Sequence, residues 1–123
     1  KVSERYAIAM GETLKKRGPD DFGSWVDQDS GIAFSHTRLA ILDLSQEGKQ
    51  PMVSHSGRYT MVYNGEIYNH RKLRQKLNSE YSFQTNSDCE IIIHLYLKYG
   101  IETTVSMLDG VFSFVLYDKV NLR

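Results

Sequence analysis

Three side chains in this sequence are of types that bind or attack small charged substrates. Cys89 is the only cysteine, and a thiol at the start of a helix could act as a nucleophile because the helix dipole lowers its pKa. Arg38 carries a planar guanidinium that grips a carboxylate through two parallel hydrogen bonds. Asp88 carries the charge that pairs with an ammonium. Two of them also have ordinary explanations. Arg38 could be a surface arginine at a strand end. The charge of Asp88 interacts favourably with the helix dipole, which explains an aspartate there without any ligand.

The most informative segment is Tyr-Asn-Gly-Glu-Ile-Tyr-Asn, which spans residues 63–69. Its Asn64-Gly65 pair alone predicts a strand that ends in a turn, because both residue types tolerate positive φ. Asn69 would then cap a following helix, and Glu66 would be a solvated glutamate of the turn. The complete heptad is more specific than a turn.

The histidines give no comparable signal. The four histidines are not spaced as metal ligands, and one cysteine is too few for the usual structural zinc sites. His36 lies in a predicted strand, where a packed or hydrogen-bonded histidine is more common than a catalytic one. We therefore expect no metal site in this sequence.

The residues with chemical potential fall at the ends of predicted strands and at the start of a predicted helix. Residues 31–39 alternate between two faces that are both largely apolar at the start, which predicts a covered strand. Residues 59–63 predict a second strand that leads into the heptad. Ser87-Asp88-Cys89-Glu90 has a capping-box pattern and opens a helix that Gly100 stops.

The remaining segments predict a layered mixture of helices and strands. Residues 3–16 predict an amphipathic helix, because Tyr6, Ala9, Met10 and Leu14 share one face at helical spacing. The other predictions are helices over residues 69–77 and 101–108, strands over 83–85 and 111–117, and a hairpin turn over 118–123. Several strands mixed with helices, some of them covered on both faces, are typical of an α/β or α+β layered fold.

Composition is that of an ordinary folded protein and argues against several functional classes. The 123 residues suit one domain, and the 15 basic and 15 acidic side chains cancel, so no broad attraction to nucleic acid or to an anionic membrane is expected. No apolar run approaches the roughly 20 residues that span a bilayer. A single thiol forms no internal disulfide and fits a reducing compartment, which favours a cytoplasmic protein.

Ordered motifs along nearly the whole chain resemble the class II glutamine amidotransferases of the asparagine synthetase type. The heptad at residues 63–69 is similar to the signature of that family. The other motifs, in chain order, are Arg17-Gly18-Pro19-Asp20-Asp21, His36 to Leu44, Gln50-Pro51-Met52, Thr85 to Glu90 and Leu108 to Phe114. A single motif would be weak evidence, whereas several in order with compatible spacing identify the chain as similar to the glutaminase domain of that family.

The resemblance implies a fold and a reaction. The fold would be α+β, the four-layer αββα sandwich of the N-terminal-nucleophile hydrolases, truncated here at its first strand and at its C-terminal end. In that family an N-terminal cysteine attacks the side-chain amide of glutamine, with its own α-amine as the base. Because the nucleophile of the family is that cysteine, Cys89 is not expected to be catalytic. A thioester forms, ammonia leaves and water releases glutamate. In the whole enzyme the ammonia passes to a synthetase domain, where ATP has activated aspartate for conversion to asparagine.

The resemblance also assigns roles to residues of this sequence. Asn64 and Gly65 would be the catalytic donors that stabilise the oxyanion of the tetrahedral intermediate, and both would contact the substrate. Arg38 would hold the α-carboxylate of glutamine, and Asp88 would hold its ammonium with Glu66 nearby. The same cleft would be lined, mainly through backbone groups, by Leu39, Ala40, Ile41 and Leu42.

The sequence departs from the family pattern in two respects, the nucleophilic cysteine and the synthetase domain. No cysteine precedes Ser3, and the start at Lys1 without a methionine predicts that the nucleophile lies upstream of the printed sequence. No Ser-Gly-Gly-x-Asp-Ser pyrophosphate loop occurs, so residues 1–123 are expected to be a partial glutaminase domain without its synthetase domain. No cofactor is expected here, whereas ATP and Mg²⁺ are expected in the synthetase domain. We expect this fragment alone to be inactive.

The expected partners are L-glutamine, the C-terminal synthetase domain of the same protein and a second copy in a homodimer. Neither nucleic acid nor a membrane is expected. Two alternatives stay open. A related amidotransferase with another acceptor, such as a sugar carboxylate, would have nearly the same glutaminase domain. A domain that binds glutamine or a partner without catalysis would fit the missing nucleophile, although a dead site has no physical need for Arg38, Asn64, Gly65 and Asp88 together.

Overall fold

The computed structural model describes residues 4–39 and 48–123, which form three helices and five strands. In chain order these are α1 (Glu4–Glu12), β1 (Asp21–Asp27), β2 (Ile32–Arg38), β3 (Met52–Val53), β4 (Tyr59–Ile67), α2 (His70–Leu77), α3 (Glu90–Met107) and β5 (Gly110–Asp118). The strands form an antiparallel pair, β1-β2, and a three-stranded sheet in the order β3-β4-β5. The chain divides into unit 1, Lys1–Val62 with Val115–Arg123, and unit 2, Tyr63–Phe114.

In unit 1, β1 and β2 form a hairpin against which α1 packs. The register pairs Phe22 with Thr37 and Asp27 with Ile32. A Cβ added at Gly11 would overlap the Phe22 ring, so the helix approaches the hairpin closely at this glycine. Close approach is possible because this face of α1 carries small side chains.

Helix α1 differs from the sequence prediction in its length and in its buried face. It ends at Glu12, and its buried residues are Ala7 and Gly11. Tyr6 and Met10, which the helical spacing assigned to the apolar face, are 71% and 69% exposed. The prediction of the buried face was therefore wrong, because the size of Gly11 governs the packing more than the hydrophobicity of its neighbours.

The part of the three-stranded sheet that lies in unit 1 is stabilised by a charged contact as well as by buried side chains. Met61 in β4 is fully buried and pairs with Met52 in β3. Arg58 donates two hydrogen bonds of 2.8 Å to the carboxylate of Asp118. These bonds hold the pKa of Asp118 well below its ordinary range.

Unit 2 is built on two helices whose apolar faces meet. Helix α3 is broken at Gly100, where φ is 78° and ψ is 173°, so the predicted stop and the predicted second helical segment are both confirmed. No helix in the described ranges is long and apolar enough to cross a membrane. The buried side chains that form the core of this unit are Ile67, Leu73, Leu77, Ile91, Ile92 and Leu95.

The strand predictions differ in their outcomes. The predicted strands over residues 31–39 and 111–117 are confirmed as β2 and β5. The predicted strand over 83–85 is wrong, since these residues belong to no strand or helix. Strands β1 and β3 have no clear alternation in the sequence and were not predicted. β4 continues to Ile67, so Asn64 and Gly65 lie inside a strand and not in the turn that the pair alone suggested.

Candidate active site

The end of β4 presents three exposed residues between two buried ones. Tyr63 is 6% exposed and Ile67 is fully buried, while residues 64–66 are exposed. The two buried side chains anchor the strand in the core of unit 2 on either side of the exposed stretch. The predicted oxyanion donors are therefore held on a fixed backbone but remain accessible.

Gly65 occupies a position that other residues cannot take without strain. Its φ is 138°, in the region that favours glycine. A Cβ at this position would overlap the carbonyl oxygen of Val111 and the backbone of Phe112 in β5. The glycine thus allows two strands to approach closely at the point where a backbone N–H donor is expected.

Asp88 binds the same stretch of β4 from outside the strand. Its Oδ2 atom accepts a 2.8 Å hydrogen bond from the Tyr63 hydroxyl and a 2.9 Å bond from the Ile67 backbone N–H. These donors lie immediately before and after residues 64–66. Unit 2 therefore brings together four of the residues that the resemblance assigned to the site, namely Asn64, Gly65, Glu66 and Asp88.

The segment that leads to Asp88 is held by two side chains whose role was not predicted. Arg74 of α2 donates hydrogen bonds of 2.8 Å to the carbonyl oxygens of Thr85 and Ser87. Glu90 accepts hydrogen bonds from the backbone N–H groups of Gln84 at 2.7 Å and Thr85 at 2.8 Å. The segment has no regular secondary structure, so these bonds take the place of a sheet ladder.

Glu90 therefore does not complete the capping box that the sequence suggested. Its carboxylate is directed to Gln84 and Thr85, and not to Ser87. Burial raises the pKa of this carboxyl, but His94 and the N–H groups outweigh burial and lower the pKa to about 2. His94 Nε2 lies 3.5 Å from Glu90 Oε1. The carboxylate is thus a charged, buried anchor at all physiological pH values.

This anchor predicts a pH-dependent stability. Because the pKa of Glu90 is lower in the folded protein than its ordinary 4.5, its contribution is complete above that value and is lost as the pH falls towards 2. Between about pH 5 and pH 2, the free energy of unfolding should fall by about 3 kcal/mol more in the wild type than in Glu90→Gln. Urea unfolding at a series of pH values measures this difference. Parallel pH dependences of the two proteins would contradict it.

Asn69 has a different structural role from the predicted one. It stands at the N-cap position of α2, but its side chain makes no capping hydrogen bond. Its Nδ2 donates to the carbonyl oxygen of Met107 at 2.9 Å, and its Oδ1 accepts from the Asp109 N–H at 3.0 Å. Tyr68 N–H also donates to the carbonyl oxygen of Asp109 at 2.7 Å. The last residue of the heptad therefore ties the end of β4 to the connection between α3 and β5.

Cys89 is poorly suited to nucleophilic attack. It is fully buried, and its Sγ lies 3.0 Å from Ser87 Oγ. Burial raises the pKa of the thiol to about 12, which outweighs the effect of the Ser87 hydrogen bond. The thiolate is therefore negligible at neutral pH, and the helix start does not activate this cysteine.

Arg38 and Leu39 belong to unit 1. Arg38 ends β2, where its carbonyl oxygen accepts a 3.0 Å hydrogen bond from the Asp20 N–H. A Cβ at Gly48 would lie 2.6 Å from Arg38 Nη2, so this glycine makes room for the guanidinium. Leu39 is 50% exposed. The other predicted lining residues, Ala40, Ile41 and Leu42, lie outside the described residues.

Within residues 4–39 and 48–123, no group of three or more histidine, cysteine, aspartate or glutamate side chains is arranged to hold a metal ion. The groups described above act as hydrogen-bond donors, acceptors and charges.

Comparison with known sequences gives the family. A profile of the family described as glutamine amidotransferase domain matches residues 1–123. The chain is 44% identical over 113 residues to the probable glutamine-hydrolysing asparagine synthetase of Schizosaccharomyces pombe, and 48% identical over 111 residues to the glutamine-hydrolysing asparagine synthetase of Zea mays. These alignments cover 92% and 90% of this chain but only 20% and 18% of the relatives. The chain therefore spans about a fifth of the length of the curated relatives it matches.

Comparison with solved structures agrees with this family assignment. The glutamine phosphoribosylpyrophosphate amidotransferase of B. subtilis, complexed with ADP and GMP, superposes with a TM-score of 0.59 at 32% identity, covering 71% of this chain and 21% of that one. This likeness, together with the antiparallel sheets, confirms the predicted fold class of an N-terminal-nucleophile hydrolase. The motifs and the arrangement of Asp88 against β4 agree with these matches. The chain therefore belongs to the glutamine amidotransferase domain family.

Proposed function

We propose that this chain forms the glutamine-binding and oxyanion-stabilising part of a glutaminase domain, which releases ammonia from the side-chain amide of L-glutamine. The protein encoded by the complete reading frame would be a glutamine-dependent asparagine synthetase. Residues 1–123 would then be part of its glutaminase domain, and ATP with Mg²⁺ would be bound by a separate synthetase domain.

The contact of Asp88 with the residues on both sides of the exposed stretch of β4 is the main observation that supports the proposal. Through Tyr63 and Ile67, a carboxylate is fixed beside the stretch that contains Asn64 and Gly65. A substrate with an ammonium at one end and an amide at the other needs this combination of one anion and two N–H donors. Glutamine has both groups.

The donors at Asn64 and Gly65 would act on the reaction itself. When a nucleophile adds to the glutamine amide, the amide oxygen gains negative charge, and fixed N–H donors stabilise that charge more than they stabilise the ground state. Asn64 supplies a side-chain N–H, and Gly65 supplies a backbone N–H. Because both lie on a strand whose flanks are buried, little reorganisation is needed during the reaction.

The α-carboxylate of glutamine would be held by Arg38, and Leu39 to Leu42 would line the cleft next to it. The guanidinium offers a two-pronged geometry that matches a carboxylate. Gly48 leaves the space that this side chain occupies in unit 1. Glu66 is exposed beside Gly65 and would assist in binding the substrate ammonium.

The role of Arg38 can be tested with two substrates. In the protein from the complete reading frame, Arg38→Ala should raise KM for L-glutamine about 10- to 100-fold, because a charge-assisted contact contributes about 1.5–3 kcal/mol. Glutamate release measures KM. With the α-amide of L-glutamine, which has no α-carboxylate, wild type and variant should have the same kcat/KM.

A control separates this effect from the loss of any surface arginine. Arg71 is exposed on α2, and Arg71→Ala should leave both substrates unaffected. An unchanged KM for L-glutamine in Arg38→Ala would contradict the carboxylate role. An equal loss with both substrates would indicate a change in structure and not in recognition.

A second function is favoured by one of the comparisons. The structural relative from B. subtilis is named as an amidotransferase for phosphoribosylpyrophosphate, so glutaminase domains of this fold serve other acceptors. An assay of the whole protein with glutamine, ATP, Mg²⁺ and aspartate distinguishes an asparagine synthetase from an amidotransferase with another acceptor. Asparagine formation is the expected result. Glutamine hydrolysis without asparagine formation would favour another acceptor, and glutamine binding without hydrolysis would favour a non-catalytic domain.

Assembly and location are proposed from the same family membership. We propose a homodimer in which the synthetase domain of the same chain receives the ammonia, and a cytoplasmic location. Analytical ultracentrifugation of the whole protein and fractionation of the source cells test these two points.

A further inference from the structure

The two oxygens of the Asp88 carboxylate are in different situations. Oδ2 accepts both hydrogen bonds that the carboxylate receives within unit 2, one from the Tyr63 hydroxyl and one from the Ile67 N–H. No residue among 63–114 donates to Oδ1. Asp88 is only partly buried. One oxygen is therefore occupied by the protein, and the other is left to a further donor.

Tyr63 has the properties of a permanent donor to this carboxylate. Its side chain is 6% exposed, so the ring is fixed in the core of unit 2. Burial, the hydrogen bond to Asp88 and the negative charge of Asp88 all raise the pKa of the phenol far above its ordinary value. The hydroxyl thus keeps its proton throughout the pH range in which an enzyme works, and the bond to Oδ2 is always available.

The Ile67 N–H fixes the same oxygen from a second direction. A carboxylate held by one bond can rotate about that bond, whereas two donors on one oxygen restrict the plane of the group. Both donors lie on β4, at a separation that leaves Asn64 and Gly65 between them. The orientation of Asp88 is therefore set by the strand that also carries the oxyanion donors.

We propose that Tyr63 is a positioning residue for glutamine recognition, in that its hydroxyl occupies Oδ2 of Asp88 and leaves Oδ1 as the acceptor for the α-ammonium of the substrate. This inference rests on the proposed glutaminase function. It also specifies the ligand chemistry. A primary ammonium needs one strong acceptor, whereas a guanidinium fork needs both oxygens of a carboxylate. Asp88 with Oδ2 occupied is suited to the former.

The test is Tyr63→Phe in the protein from the complete reading frame. Phenylalanine keeps the buried ring, so the thermal unfolding midpoint should change little. KM for L-glutamine should rise about 5- to 20-fold with kcat nearly unchanged, because one charge-assisted hydrogen bond that orients Asp88 is lost. For glutaramate, which is glutamine without its α-amino group, wild type and Tyr63→Phe should have the same kcat/KM. A role limited to stability would not produce this difference between substrates.

Three further variants separate the possible outcomes. Tyr68 is 59% exposed in the same heptad, and Tyr68→Phe should leave KM and kcat unchanged. Asp88→Asn should raise KM for L-glutamine more than Tyr63→Phe does, and adding Tyr63→Phe to it should have little further effect. If Asp88→Asn raises KM and Tyr63→Phe does not, the positioning role is overturned while the proposed function stands. If Asp88→Asn itself leaves KM unchanged, the ammonium-binding part of the proposed function fails. An equal loss with glutamine and glutaramate in Tyr63→Phe also overturns the inference.

Discussion

Replacing Asn64 by alanine is expected to lower kcat for glutamine hydrolysis about 100- to 1,000-fold, the usual effect of removing one oxyanion donor. KM should change little, because the negative charge that the Asn64 amide stabilises develops only in the transition state. Asn64 is the donor that mutagenesis can remove, since the Gly65 donor belongs to the backbone. Steady-state measurement of glutamate release from the protein of the complete reading frame gives both constants.

An isosteric variant and a control sharpen this test. Asn64→Asp keeps the shape of the side chain but replaces the N–H donor with a negative charge, so its kcat should be no higher than that of Asn64→Ala. Asn78 is an exposed residue at the C-terminal end of α2, and Asn78→Ala should retain the wild-type kcat. A kcat for Asn64→Ala within about threefold of wild type would contradict an oxyanion role, because that ratio is worth less than about 1 kcal/mol.

Gly65→Ala should destabilise the fold and abolish most of the activity. The added methyl group would overlap the Val111 carbonyl oxygen and the Phe112 backbone, and φ at this position is 138°. The conformational strain is about 1–3 kcal/mol, and forced displacement of packed groups adds about as much. We therefore expect the free energy of unfolding to fall by at least about 2 kcal/mol. Urea unfolding measures the loss, and the glutaminase assay shows the effect on kcat.

The matched control is another glycine with positive φ. Gly57 has φ 71° and no heavy atom within 4 Å of an added Cβ. Gly57→Ala therefore has the backbone strain without the overlap, and should lower the free energy of unfolding by about 1 kcal/mol. The larger loss expected for Gly65→Ala combines the overlap with β5 and the greater backbone strain at φ 138°. Equal losses would contradict the proposed steric role of Gly65.

Much of the candidate site was proposed from the sequence because its residues belong to short motifs. The heptad placed Asn64, Gly65 and Glu66, and the capping-like pattern at residues 87–90 placed Asp88 beside a helix start. What the motifs could not give is the bond between Asp88 and Tyr63, since it joins residues 25 apart in the chain. The roles of Arg74 and Glu90 were missed for a different reason, because the irregular segment that they hold has no periodicity in the sequence.

The fold was predicted where local patterns are strong. Strand β2 begins with apolar residues on both faces, which predicted a strand, and Gly100 predicted the point at which α3 is broken. Strand β1 was missed because Gly18-Pro19 and Gly23 indicate a loop, whereas pairing with β2 stabilises the strand in the folded protein. The prediction of the buried face of α1 was wrong because the small residue Gly11 determines how closely the helix approaches the hairpin.

In the proposed site, Asp88 and the donors of Asn64 and Gly65 bind opposite ends of one glutamine molecule. The most direct test is a crystal structure of the protein from the complete reading frame with L-glutamate, the expected product, bound. We expect the α-ammonium within about 3 Å of Asp88 Oδ1, and a side-chain carboxylate oxygen within about 3 Å of Asn64 Nδ2 and the Gly65 nitrogen. L-glutamate bound at another place, or with its two ends reversed, would contradict it.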